Sequence, residues 1–342
     1  MKRLLGCVLV AVLVVQCSGC RRSNSDSQES SPSRGARTPP AGESRPQEAQ
    51  TYVGLRRSSY GLRARSADHE WWATRAKQFA ANFPNARPLI IQIVSTYRFA
   101  DGSTEFEFAR PDGLTAETPN ISFRQGELDH EAALRTYAEH AVKAIIQIEP
   151  GNADVGRCLE IAREQFGRHD CVIGYGVDLE WHFYRETPGK RGRPVTDAEA
   201  QRWMETVASF KSGNVLFLKH WDPRHMPPTY RHERLWFLSD SQNFAGRDEM
   251  MADFRRWAKA FENCAVGYQF GYPKDRPWWS KLDCPPGDIA QTIRESIPNA
   301  RCLFWVDFTA DRVTFRSFQG PKPPPAELPE LPPPPTLPPD LH

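Results

Sequence analysis

Two carboxylates set two residues apart, Asp178 and Glu180, carry the clearest chemical signal in this sequence. They close the run Gly174-Tyr175-Gly176-Val177-Asp178-Leu179-Glu180, which reads as a β-strand. Alternation puts Ile173, Tyr175, Val177 and Leu179 on one face, bulky and suited to packing under helices. Gly174, Gly176, Asp178 and Glu180 fall on the other. Two acids on one side of a strand repel each other, and burial raises the pKa of at least one. A carboxylic acid that stays protonated near neutral pH is a proton donor. Asp-x-Glu is also compatible with a structural pair, salt-bridged to a neighbour such as Lys219.

Such a pair needs a frame. Between residues 67 and 317 the chain alternates strand-like and helix-like segments, the pattern of a parallel sheet covered by helices. Leu89 to Val94, Ala144 to Glu149, Val172 to Trp181, Val215 to Trp221, Leu235 to Asp240, Ala265 to Tyr272 and Cys302 to Phe308 read as strands. His69 to Phe83 predicts a helix with Trp72, Ala76, Phe79 and Phe83 on its buried face. Thr196 and Glu199 form a capping box ahead of Ala200, Trp203, Met204 and Val207. Gly246 to Phe261 and Asp288 to Ile297 are further helices. The size and alternation predict one α/β domain, a (β/α)₈ TIM barrel. Seven strands are clear. Thr104 to Phe108 or Ile121 to Phe123 is expected to supply the eighth, with an irregular first β/α unit or a hairpin between Arg98 and Leu128.

In a barrel, the C-terminal strand ends meet at one mouth, where active sites are built. Gln147 and Glu149 share a parity on the third strand. Lys219, His220 and Trp221 end the fifth, Asp240 and Gln242 follow the sixth, Gln269 ends the seventh, and Trp305 and Asp307 end the eighth. Trp181, Trp278 and Trp279 fall in adjoining loops. Carboxylates, amides and tryptophans together suit a sugar, whose C–H faces pack on aromatic rings while its hydroxyls bond to polar groups.

The motif Gly176-Val177-Asp178-Leu179-Glu180, the ending Phe237-Leu238-Ser239-Asp240 and Leu303-Phe304-Trp305 resemble glycoside hydrolase family 18, the chitinases and endo-β-N-acetylglucosaminidases. Ile173 and Gly176 stand where that family has two earlier aspartates, and Ser239 where it has tyrosine. The Asp-x-Glu pair also resembles family 25 lysozymes. The resemblance implies substrate-assisted retaining hydrolysis. Glu180 would protonate the glycosidic oxygen and Asp178 would orient the substrate acetamide that attacks the anomeric carbon. Trp305 would floor the site, and Asp240 and Gln269 would hydrogen-bond the sugar, with no cofactor and no metal. Two other classes stay open. One is a glycan-binding protein with a degenerate site. The other is a metal-dependent hydrolase or deacetylase using Asp178 and Glu180 with His182, His220, His225 and His232.

The ends of the chain point to export. Lys2 and Arg3 precede an apolar run from Leu4 to Val15, too short to span a bilayer as a helix and suited to a signal peptide over residues 1–19. Ser18-Gly19-Cys20 resembles a bacterial lipobox, which makes Cys20 the expected lipid anchor of an envelope lipoprotein, most simply a monomer. Residues 20–66 are rich in Ser, Pro, Arg and Gln and read as a tether. Residues 318–342 are a proline-rich tail expected to be extended. A net charge of +2 gives no reason to expect nucleic-acid binding. Of the cysteines past the anchor, Cys264 and Cys302 are the expected disulfide pair, at the bottoms of adjacent strands. Cys158 and Cys171 bracket a helix and should stay apart.

Overall fold

The structure, a computed structural model, describes residues 50–315 except 115, 116, 188 and 190. The expected signal segment with Cys20, most of the expected tether and the proline-rich stretch lie outside the described residues. Eight parallel strands close into a barrel: β1 (Thr51–Arg57), β2 (Ala86–Ile93), and then, past a small side sheet, β6 (Lys143–Ile148), β7 (Val172–Asp178), β8 (Val215–Lys219), β9 (Leu235–Ser239), β10 (Val266–Phe270) and β11 (Ala300–Trp305). The side sheet joins β3 (Ser95–Tyr97), β4 (Thr104–Phe106) and β5 (Ile121–Phe123). Helices α1 (His69–Ala80), α2 (His130–Glu139), α3 (Val155–Phe166), α4 (Asp197–Phe210), α5 (Arg247–Ala260), the single turn α6 (Arg276–Trp279) and α7 (Pro285–Ser296) follow in chain order. This is a (β/α)₈ TIM barrel, as the alternation of segments predicts. Among the described residues, no helix is long and apolar enough to cross a membrane.

The eighth strand is not where the sequence places it. Thr104–Phe106 and Ile121–Phe123 stand aside in the small sheet, and β1 closes the barrel by pairing with both β2 and β11. The barrel therefore begins at Thr51 and not at residue 67, inside the stretch expected to be a tether. Its strand carries only Val53 and Leu55 as aliphatic core, and both are fully buried. Arg57 faces the helices instead, where its Nη1 donates to Tyr137 Oη at 2.6 Å and its guanidinium lies over Trp72.

Local signals account for the helix starts. Asp68, Asp129 and Asp154 each accept a backbone N–H in the first turn of α1, α2 and α3. The expected capping box of Thr196 and Glu199 opens α4. Trp72, Ala76, Phe79 and Phe83 are buried, as their spacing predicts. The expected disulfide is absent: all five cysteines between Cys158 and Cys302 are free. Cys302 sits in the apolar cluster inside the barrel and Cys264 in the outer layer, so the strand wall separates them.

Inside the barrel the lower half is apolar. Leu89, Ile91, Ile145, Phe217, Trp236, Leu238 and Phe304 form one buried cluster. Gly176 is required there, because a Cβ would stand 2.0 Å from the Phe217 ring. Ile173 departs from strict alternation. The β6–β7 register jumps from Ala144↔Val172 to Ile145↔Gly174, and Ile173 packs against the inner cluster.

Candidate active site

One step above this apolar plug the inward positions turn charged. Asp178, Lys219 and Asp240 come from three consecutive strand ends, and all three are buried. Lys219 Nζ lies 2.7 Å from Asp178 Oδ2 and 2.5 Å from Asp240 Oδ2. Burial opposes the charge on Lys219, but Asp178 and Asp240 hold its pKa well above the ordinary value. The salt bridge that the sequence offers as the structural alternative is thus present, and it is part of the mouth.

Glu180 reaches the mouth by a route the strand pattern does not foresee. Alternation stops at Asp178, and Leu179–Trp181 forms a turn of 3₁₀ helix. Asp178 Oδ1 caps that turn by accepting the Glu180 N–H at 3.3 Å. Carboxylate oxygens of Asp178, Glu180 and Asp240 then lie within 4.8 Å of one another. Burial first, and the charges of Asp178 and Asp240 next, push the partly buried Glu180 carboxyl up to about 8. The physical cause is plain: Lys219 offsets one of the two aspartates, so a further negative charge is opposed in a poorly solvated site.

Glu149, at the end of the third barrel strand, is buried beside them. It accepts from Tyr60 Oη at 2.7 Å and from the Tyr97 N–H at 2.9 Å. Burial and Asp178 push its pKa up to about 7. Gln147 Nε2 is 3.4 Å from Asp178 Oδ2, and Gln269 Oε1 accepts from Tyr272 Oη at 3.3 Å. Gln147 Oε1, Asp240 Oδ1 and Gln269 Nε2, all at this mouth, are among the buried polar atoms of the described residues that have no hydrogen-bond partner in the protein.

Other expected site residues sit elsewhere. Trp305 is fully buried in the outer layer against Phe270, Trp279 and Phe315, with its Nε1 donating to Thr309 Oγ1 at 2.9 Å. It cannot floor the mouth, because its neighbour Phe304 takes the inward position. Asp307 is fully buried and committed: Oδ1 accepts from Arg56 at 2.8 Å and Oδ2 from the Ser58 N–H at 2.6 Å. His220 is buried too, with Nε2 2.8 Å from Arg191 O and Nδ1 accepting the Asp222 N–H, while its ring stacks on His225. Burial and His225 lower its pKa to about 4. Trp221 is half-buried beneath the Arg191 guanidinium, and Gln242 is exposed on the loop after β9. Trp181 lies beside Glu180, stacked on Tyr97.

The histidines do not assemble a metal site. His182 packs on Arg193, His225 lies beside Asp222, and His232 Nδ1 accepts the Arg234 N–H. Asp178, Glu180 and Asp240 form a donor set that could hold a divalent ion, but Lys219 already sets a positive charge against two of them. Sequence reasoning missed Arg56, Tyr60, Tyr97 and Tyr272. Tyr60 and Arg56 follow from the unrecognised first strand. Tyr97 belongs to the side sheet, which no periodicity announces.

No family model and no curated protein matches the chain. Among solved structures it is similar to a β-glucuronidase of an uncultured Clostridium species, with a TM-score of 0.42 and 8% identity over 75% of this chain and 43% of that one. It is also similar to β-glucuronidase 3 of Bacteroides uniformis, with a TM-score of 0.42 and 12% identity over 75% of this chain and 32% of that one. An endoglucanase of Pseudomonas stutzeri gives a TM-score of 0.44 and 11% identity over 75% of this chain and 85% of that one. The chain thus spans less than half the length of the two β-glucuronidases.

Proposed function

We propose that the protein is a glycoside hydrolase that cleaves N-acetylhexosamine-containing glycans, with Glu180 as the proton donor. The observation that carries this reading is the Glu180 carboxyl set within 4.8 Å of those of Asp178 and Asp240, where burial and their charges push its pKa up to about 8. A donor with a pKa near the working pH is half of what glycosidic cleavage needs. The other half is a nucleophile, and Asp178 is poorly placed to be one, being buried and paired with Lys219. A substrate acetamide that attacks its own anomeric carbon removes that requirement, and the charge of Asp178 then orients and stabilises the acetamide N–H. Asp240, Gln147 and Gln269 supply the unpartnered atoms for sugar hydroxyls. Glu149 is close enough for its charge to act on Glu180, and Trp181 follows Glu180 directly in the chain.

The test uses purified protein lacking residues 1–20 and a panel of chitin, peptidoglycan and deacetylated oligomers. Turnover of acetylated but not deacetylated sugars is expected. Equal turnover of both eliminates the substrate-assisted step, and binding without turnover makes the protein a lectin. The proposal extends to location: the chain is an envelope lipoprotein anchored through Cys20. Labelled palmitate should enter the wild type and not Cys20→Ala; incorporation that survives the substitution removes the anchor from Cys20.

A further inference from the structure

Two large apolar side chains are exposed among the described residues, Phe99 at 46% and Phe308 at 36%, and both stand at the barrel mouth. Phe99 lies on the β3–β4 hairpin, which continues from the C-terminal end of β2. Phe308 follows β11. Scattered exposed hydrophobes are ordinary on a surface, but these two are held in fixed aromatic groups on opposite chain segments.

The Phe99 ring packs edge-on against Tyr97 at 5.1 Å, Trp181 at 5.6 Å and Tyr184 at 6.2 Å. Trp181 directly follows Glu180, so this group adjoins the proton donor. The hairpin that carries Phe99 is pinned. Asn152 N–H donates to Gly102 O at 2.8 Å, and Arg185 Nη1 to Ala100 O at 2.9 Å. Gly151, at φ +56°, lets the loop after the third barrel strand approach so closely that a Cβ would stand 2.5 Å from Gly102 O. Phe308 lies 6.2 Å from Tyr60 and 6.4 Å from Tyr272, over the Arg56 guanidinium at 4.7 Å. Tyr60 bonds to Glu149 and Tyr272 to Gln269, so this second group adjoins the other side of the polar mouth.

Resting on the reading of the mouth as a glycosidase site, we infer that Phe99 and Phe308 are sugar-stacking platforms on either side of the acid layer. The substrate is then a glycan strand lying across the mouth, cleaved at an internal linkage. An acyl chain would need continuous apolar surface. Each ring here instead has a polar group near it: Arg185 bonds to the carbonyl of Ala100, next to Phe99 in the chain, and the Arg56 guanidinium lies against one face of Phe308. A single exposed ring with a polar group nearby fits a pyranose, which offers C–H bonds on its face and hydroxyls at its edge.

The experiment measures kcat/KM for β-linked N-acetylhexosamine oligomers from dimer to hexamer with the wild type, Phe99→Ala and Phe308→Ala. In parallel, calorimetry measures binding of the same oligomers to Glu180→Gln with and without each alanine. The hexamer-to-dimer ratio of kcat/KM should exceed one in the wild type. Each alanine should reduce it about tenfold, the effect of losing one buried ring face, mainly through KM. Thermal melts check that these exposed positions leave folding intact. A ratio that neither substitution changes overturns the inference while leaving hydrolysis standing. Length-dependent binding that Phe99→Ala weakens, without any turnover, supports the platforms and sinks the catalytic reading alone. No binding of any oligomer, or a gain from an alkyl or aryl aglycone in place of added sugars, overturns the platforms.

Discussion

The lower and upper halves of the barrel interior use the same strands and the same alternation, yet their chemistry is opposite. Phe217 is followed two residues on by Lys219, Leu238 by Asp240, Gly176 by Asp178, and Ile145 by Gln147 and then Glu149. Below the change lies an apolar plug, and above it lies an ionic layer. The plug restricts solvation of the layer from beneath, and that is the condition under which a carboxyl such as Glu180 keeps its proton. One turn of side-chain chemistry thus converts a packing position into a titrating one.

Substitutions in the two halves should fail in different ways. The largest expected effect is on turnover: Glu180→Gln should lose about two to four orders of magnitude of hydrolysis, the usual contribution of a positioned proton donor. Intact activity in that variant moves the acid elsewhere. Next comes stability. Lys219→Met leaves two buried aspartates without their cation and should cost about 3–5 kcal/mol. Phe217→Ala, in the plug, should cost a similar amount, about 3–5 kcal/mol, by opening a cavity. Denaturation across pH tells them apart. The Lys219→Met deficit should grow as pH rises, because the unpaired carboxyls must ionise, whereas the Phe217→Ala deficit should stay level. Parallel curves would mean that Lys219 acts as packing alone.

A smaller effect concerns Glu180 itself. Its folded pKa of about 8 lies above the roughly 4.3 of an unfolded glutamate, so the folded state holds the proton more tightly. Stability from this group is present below the unfolded value and lost as pH rises through the folded one. Glu180→Gln should therefore raise Tm relative to wild type by an amount that grows across that window, and a constant offset would contradict the shift. The smallest expected effect is none: exhaustive chelation should leave hydrolysis unchanged, since Lys219 supplies the cation. Loss restored by a divalent ion would turn the reading to a metal-dependent hydrolase built on Asp178, Glu180 and Asp240.

What was legible in the sequence follows from the same contrast. Aliphatic runs such as Leu89 to Val94 and Ala144 to Ile148 mark strands buried on both faces, and helix faces such as that of Trp72 and Phe79 mark the outer layer. The register of Asp178 was legible because two glycines and an acid alternate with Tyr175 and Val177. The first strand was not, since Thr51–Arg57 has two aliphatics and ends in paired arginines whose partners, Asp307 and Tyr137, are far away in sequence. Trp305 was misplaced because composition makes any tryptophan near a mouth look like a sugar platform, while the parity of β11 turns it toward Trp279. Phe99 offered only a hydrophobe in a polar turn, and its meaning depends on Trp181, reached by tertiary contact.

The central claim is that Glu180 carries a proton near neutral pH, and the infrared difference spectrum of wild type minus Glu180→Gln tests it most directly. Glu149 and Glu180 feel each other's charge, so the matching spectrum of wild type minus Glu149→Gln assigns the band of each carboxyl. The expected spectrum near neutral pH contains a protonated-carboxyl C=O band that is replaced by a carboxylate band as pH rises through about 8. A difference spectrum showing only carboxylate throughout that range would mean that Glu180 is ionised at rest, and the proton donor would have to be sought elsewhere.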